Sequence, residues 1–267
     1  MQEMISIVFP DLSSNSFGKS FESKPPSFGL IKFIEFIGLP GSGKSTIANC
    51  LEAELRLCGL QVVSRTSILA DTSPFLPRHA RRLWVVARNV WSCRDLYRRS
   101  FLQARQSRQQ TVWDLAKVSW NLWTVIALIA EVERRQGTTV IVDQGLLQAI
   151  WSVQLTATQP FSPELWKDLL LAAGIRGALI ANIHTDTKVA HMRALARNSN
   201  GSRLTDRSWR DMERQWEAAA HTVADLVKLV GEIVDPDNSD GHILTVENVG
   251  APPEAAAREI ASALLKK

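Results

Sequence analysis

The stretch Ile31-Lys32-Phe33-Ile34-Glu35-Phe36-Ile37-Gly38-Leu39-Pro40-Gly41-Ser42-Gly43-Lys44-Ser45-Thr46 decides the fold. Ile31 to Ile37 is a short apolar run, rich in β-branched residues and phenylalanine, and reads as a buried strand. Gly38 to Ser45 satisfies G-x-x-x-x-G-K-S/T at every defined position. Glycines let successive backbone N–H groups turn inward toward phosphate oxygens, where a Cβ would obstruct. A helix expected from Lys44 adds the positive end of its dipole. In this arrangement Gly38, Gly41, Ser42 and Gly43 form a phosphate cradle and Lys44 reaches the β- and γ-phosphates. The Ser45 hydroxyl suits Mg²⁺, and Thr46 supports the adjacent phosphate. Glu35 receives no role from this reading; it is a polar group inside a strand.

Working outward, the first helix should run from Lys44 to Cys58, closed by Gly59. Leu60 to Arg65 reads as a second strand, Thr138 to Asp143 as a third, Ala178 to His184 as a fourth and His242 to Val246 as a fifth. Two or three helices are expected between Ser73 and Arg135. Further helices are expected from Leu146 to Thr156, from Pro163 to Ala173, from Asp186 to Arg197, from Asp206 to Val230 and after Pro252. Strands alternating with helices imply an α/β fold: a doubly wound, parallel, five-stranded sheet with a helical insert over about 66–136. Residues 1–29, rich in Ser, Pro, Phe and Gly, read as a flexible leader ahead of one domain over 30–267.

Two further constellations bear on chemistry. Val140-Ile141-Val142-Asp143 is an apolar strand ending in an acid. In parallel sheets ligands sit beyond the carboxyl ends of strands. Asp143 there can hold Mg²⁺ or orient and deprotonate an acceptor hydroxyl; the bland alternative is a helix cap. Arg193 and Arg197 are i,i+4 on an expected helix, followed by the loop Asn198 to Ser202, then Arg203 and Arg207. Arginines that close over a transferring phosphoryl group stabilise its spread charge, and closure excludes water. This makes about 193–207 an arginine-rich lid, with Arg197 and Arg203 as its catalytic candidates. The alternative is a solvated face paired with Asp206, Asp211 and Glu213.

Composition sets outer limits. Apolar residues make up 45% of the 267 and charged residues 22%, which excludes a disordered, collagenous or coiled-coil chain. Three cysteines without metal-like or paired spacing point to reduced, cytoplasmic protein. Met1-Gln2-Glu3-Met4 lacks the basic start of a signal peptide. No membrane span is expected, the best candidate, Val118 to Ala130, being short and interrupted by polar residues. The net charge is +4, but nine arginines fall between Arg78 and Arg108, opposed there only by Asp95. That stretch is an acceptor-binding helix, with Arg94, Arg98 and Arg105 on one side, a weak contact for RNA or an acidic membrane surface, or a solvated basic face. Trp84/Trp91, Trp113/Trp120 and Trp209/Trp216 recur at i,i+7 and are expected to pack in the core.

Gly38 to Thr46 resembles the phosphate loop of small-molecule P-loop kinases, and Ile37 to Val63 is similar to both the adenylylsulfate kinases and the thymidylate kinases. Val142-Asp143-Gln144, the Arg193…Arg197…Arg203 lid and Asn248-Val249-Gly250-Ala251-Pro252 after the last strand look like the thymidylate kinase group. Arg65 is similar to the arginine that follows that group's second strand. The resemblance implies ATP and Mg²⁺ as cofactors, a small-molecule phosphoryl acceptor such as a nucleoside or nucleotide, and adenine between the lid and Asn248 to Pro252. Thymidylate kinases carry Asp-Arg where this chain has Asp143-Gln144, so thymidylate itself does not carry over. A nucleotide-dependent switch or assembly factor and a nucleic-acid end kinase are the alternatives. No Asn-Lys-x-Asp guanine-reading motif is present, and the confined basic charge speaks against nucleic acid as a partner. The sequence leaves the oligomeric state open, a homodimer included.

Overall fold

The computed structural model describes residues 33–69, 74–135, 137–196, 209–234 and 243–265, with 75 and 209–213 described by backbone alone. The expected leader lies outside these residues, as do Arg197, Arg203 and Arg207 of the expected lid.

Five parallel strands form one sheet in the order β2-β3-β1-β4-β5: β1 is Phe33–Ile37, β2 Val62–Ser64, β3 Thr139–Val142, β4 Ala178–His184 and β5 Ile243–Glu247. This is the doubly wound α/β sheet expected from the alternation of elements. Strand side chains alternate between faces, and both faces are covered. Ile34, Phe36, Ile141, Leu179, Ala181 and Ile183 point into one apolar layer, under helices α1 (Lys44–Leu57) and α10 (Pro253–Leu265). Ile37, Val140, Val142, Ala178 and Ile180 point into the other. That second layer is roofed by α5 (Val112–Glu133), α6 (Leu146–Gln154), α7 (Pro163–Ala172), α8 (Thr187–Ala196) and α9 (Trp209–Ile233). Glu35 belongs by alternation to the second face, among hydrophobes.

Local chemistry sets the boundaries. In α1, Ile47, Leu51 and Leu55 recur every four residues and are buried. Gly59, at φ +81°, ends the helix, with Leu60 N–H donating back to the Leu55 carbonyl. Asp186 caps α8 by accepting from Lys188 N–H and Val189 N–H. The second strand is shorter than expected. It stops at Ser64, whose hydroxyl lies 2.8 Å from that of Thr66 and 3.0 Å from that of Ser67, and Arg65 opens the short helix α2 (Arg65–Leu69).

The insert holds α2, α3 (Phe75–Arg88), α4 (Arg94–Gln106) and α5; the last three fill Ser73 to Arg135, where two or three helices were expected. Asn89 separates α3 from α4. Buried there, it donates to the Val85 carbonyl and to Glu131 of α5, and Arg134 bonds both Asn89 and Glu131. This closed polar network pins the end of α3 to the end of α5. Among the described residues, α5 is the helix long and apolar enough, by length and composition, to cross a membrane, and most of its apolar window is buried in the protein. The tryptophan expectation holds in part. Trp216 is buried in the core, but Trp91 and Trp113 are 84% and 75% exposed. Spacing of seven identifies a helix face, but Trp91 lies in the turn before α4 and Trp113 in the first turn of α5, and both rings stay outside the packing.

Candidate active site

The loop between β1 and α1 stands at the carboxyl end of the central strand. Gly41 (φ +79°) and Gly43 (φ +94°) adopt left-handed conformations that other residues resist. A Cβ on Gly41 would lie 2.1 Å from the Ala190 carbonyl oxygen of α8, so α8 presses directly on the loop. Gly43 is the N-cap of α1 and supplies no side-chain cap, which leaves the helix's first N–H groups facing the loop's hollow. The Lys44 ammonium donates to the carbonyls of Gly38 and Leu39, at 2.7 Å each, and lies 3.5 Å from Ser42 Oγ.

The sheet order places β3 beside β1, which brings Asp143 to the start of α1. Ser45 Oγ donates to Asp143 Oδ2 at 2.7 Å. Arg65 approaches the same carboxylate from the β2 side, its guanidinium 3.7 Å from Asp143 Oδ1. Register explains the convergence: Ser64 pairs with Ile141, so Arg65 stands level with the end of β3. Ser45 and Asp143 therefore present a hydroxyl and a carboxylate side by side, the hard-oxygen donors that Mg²⁺ takes together with substrate phosphates.

Behind this pair lies Glu35. Its carboxyl is fully buried, and Oε1 accepts from the Leu147 N–H at 2.5 Å, at the N-terminus of α6. Burial pushes its pKa up to about 8, and bonds from the Leu147, Leu146 and Gln148 amides pull the other way. Gly145 is required beneath it, because a Cβ there would lie 2.3 Å from Glu35 Cδ. The turn Asp143-Gln144-Gly145 is thus seated on a buried acid from the neighbouring strand. Sequence reasoning gave Glu35 no role; the signal available was a lone acid in an apolar strand.

On the opposite side, Asn248 follows β5. Its Nδ2 donates to the Ser42 carbonyl at 2.6 Å, and its backbone N–H donates to the His184 carbonyl. Thr185 Oγ1 also donates to the Ser42 carbonyl, at 3.3 Å. Arg193, the described arginine of the expected lid, reaches the Asn248 carbonyl at 3.5 Å. Of the residues singled out from sequence, Gly38, Gly41, Ser42, Gly43, Lys44, Ser45 and Asp143 come together. Thr46 follows in the first turn of α1, exposed as Ser45 is. Arg94 and Arg98 are exposed on α4, with Arg94 3.9 Å from Asp95; the insert arginine brought to Asp143 is Arg65.

A glycine loop at the carboxyl end of β1, a helix N-terminus behind it and a strand-end aspartate beside it define a P-loop domain. The family model that matches the chain is an AAA domain, over residues 33–219, and the chain belongs to that family. Among solved structures, the chain is similar to a shikimate kinase from Acinetobacter baumannii in complex with shikimate, at 13% identity and a TM-score of 0.43, covering 88% of this chain and 93% of that one. It is similar also to a gluconokinase from Sinorhizobium meliloti 1021, at 13% identity and a TM-score of 0.37, covering 87% and 91%. No curated protein matches.

Proposed function

We propose that this chain is an ATP- and Mg²⁺-dependent phosphotransferase acting on a small-molecule acceptor in the cytoplasm. The observation that carries the reading is the 2.7 Å bond between Ser45 and Asp143 at the mouth of the phosphate loop, with Arg65 alongside. The loop amides and Lys44 bind the phosphates, Lys44 exchanging the Gly38 and Leu39 carbonyls for phosphate oxygens. Ser45 and Asp143 hold Mg²⁺, which when bound neutralises charge on the phosphate oxygens. The alternative role for Asp143 is to orient an acceptor hydroxyl and take its proton. Arg65 fixes the Asp143 carboxylate and offers a guanidinium to an anionic acceptor. Arg197 and Arg203 are assigned to a lid that supplies positive charge to the transition state and excludes water.

The test is transfer of label from γ-labelled ATP to a panel of nucleosides, nucleotides and other small hydroxylated compounds, with and without Mg²⁺. Label on an acceptor, dependent on Mg²⁺ and on Asp143, supports the reading. ATP binding that leads to no transfer, with turnover stimulated instead by a protein or nucleic acid, overturns it.

A further inference from the structure

Asn248 stands 206 residues from Ser42 in sequence, yet its side chain makes the shortest of the bonds that hold the loop backbone from outside. The Ser42 carbonyl receives two side-chain donors, Asn248 Nδ2 at 2.6 Å and Thr185 Oγ1 at 3.3 Å. Both groups are buried. In a trans peptide the C=O and the following N–H point in opposite directions. Holding the Ser42 oxygen toward β4 and β5 therefore turns the Gly43 N–H away from them. Peptide geometry thus turns this N–H to the side of the loop on which the first amides of α1, free of a side-chain cap, open. Gly43 is matched to this arrangement: a Cβ there would lie 2.3 Å from Asn248 Nδ2 and would push the amide off the loop.

We infer that Asn248, assisted by Thr185, is a positioning residue for phosphate recognition: it fixes the Ser42–Gly43 peptide so that the Gly43 N–H is aimed at a phosphate oxygen. The inference rests on the phosphate-binding reading of the loop and deepens it. It also gives the Asn248 side chain a partner other than a base. The residue is anchored in turn by its own N–H on His184 and by Arg193 on its carbonyl, so the loop, the last strand and the helix leading to the expected lid share one set of bonds. A preorganised amide binds an anion without first reorienting, which is where a positioning residue acts.

The experiment uses ligands that separate phosphate from base. Binding of Mg²⁺-tripolyphosphate, Mg²⁺-ATP and adenosine is measured by calorimetry for the full chain and for Asn248→Leu and Thr185→Val, uncharged replacements that remove one donor each. Thermal unfolding confirms that each variant is folded. Asn248→Leu is expected to weaken tripolyphosphate and ATP by the same factor, about five- to tenfold for one lost hydrogen bond, and to leave adenosine affinity unchanged. Thr185→Val, the longer bond, is expected to act in the same direction with a smaller factor. If tripolyphosphate binds the wild-type chain and Asn248→Leu equally, or if ATP and adenosine weaken together, the positioning role is wrong and Asn248 serves the base or the packing alone. Should Asn248→Leu fail to fold, Thr185→Val carries the same comparison, and unchanged tripolyphosphate affinity there overturns the inference. If the wild-type chain binds neither tripolyphosphate nor ATP, the phosphate-binding reading itself falls, and this inference with it.

Discussion

Lys44 and Asp143 make different kinds of contact, and their substitutions should fail differently. Lys44 is a buried cation resting on loop carbonyls. Lys44→Ala is expected to leave the circular dichroism spectrum unchanged and to lower turnover by at least about 10²-fold, the usual scale for a lost charge-stabilising group. Turnover at the wild-type rate would remove the loop from the mechanism. Asp143→Asn keeps an oxygen for the Ser45 hydroxyl but removes the charge. It is expected to lower kcat far more than it weakens ATP binding; an unchanged kcat would return Asp143 to a helix cap. Glu35 supports the turn from below, and its raised pKa makes it a pH-dependent support. A carboxyl that ionises near 4.5 when unfolded and at about 8 when folded stabilises the fold fully below about pH 4.5. That contribution is lost as pH rises toward 8. Glu35→Gln retains an acceptor for Leu147 N–H, and it should be more stable relative to wild type at pH 8 than at pH 5. Denaturant unfolding at the two pH values reads this directly, and an identical wild-type-to-variant difference at both would refute it.

At the scale of elements, the arginines divide into those placed at the site and those on the surface. Arg65 is set at the end of β2 by strand register and reaches Asp143, whereas Arg94 and Arg98 lie exposed on α4. Arg65→Gln should therefore raise the acceptor KM or lower kcat, and the Arg94→Gln, Arg98→Gln pair should change acceptor kinetics less. Steady-state kinetics with acceptor and ATP varied separately decides between them; a larger effect from the α4 pair would move the acceptor site onto that helix. Arg197→Ala and Arg203→Ala are each expected to cost about 2–4 kcal/mol in transition-state stabilisation, read as kcat at saturating ATP. Normal turnover in both would make them surface arginines. The elements themselves were largely legible in the sequence, because periodicity and capping are local. The β1-loop-α1 unit, the Asp186 cap and the Pro163 helix start all follow from residues within one or two turns. The end of β2 was not legible. Val62 and Val63 favour extended chain, and only the hydroxyl contacts among Ser64, Thr66 and Ser67 show where it turns into α2.

At the scale of the molecule, the missing parts of the reading were non-local. Sequence separated Glu35 from Leu147 by 112 residues and Asn248 from Ser42 by 206, and no periodicity connects such pairs. The sheet order does: β3 and β4 both flank β1, so the turn after β3 and the chain around β4 and β5 close on the loop from two sides. Ser45 and Asp143 are both assigned to Mg²⁺ from sequence; the same order adds the direct hydrogen bond between them. The exposed Trp91 and Trp113 belong to this scale too, since helix periodicity assigns a face but not what covers it.

The central claim is that the Ser45–Asp143 pair and the phosphate loop form one phosphoryl-transfer site. Its most direct measurement is the transfer of γ-labelled phosphate from ATP to an acceptor by the wild-type chain, Lys44→Ala and Asp143→Asn, side by side in Mg²⁺. The expected result is labelled acceptor from the wild type, at least about 10²-fold less from each variant, and ATP still bound by Asp143→Asn. Equal labelling by all three proteins, or ATP bound by the wild type with label passing to no acceptor in the panel, would contradict it.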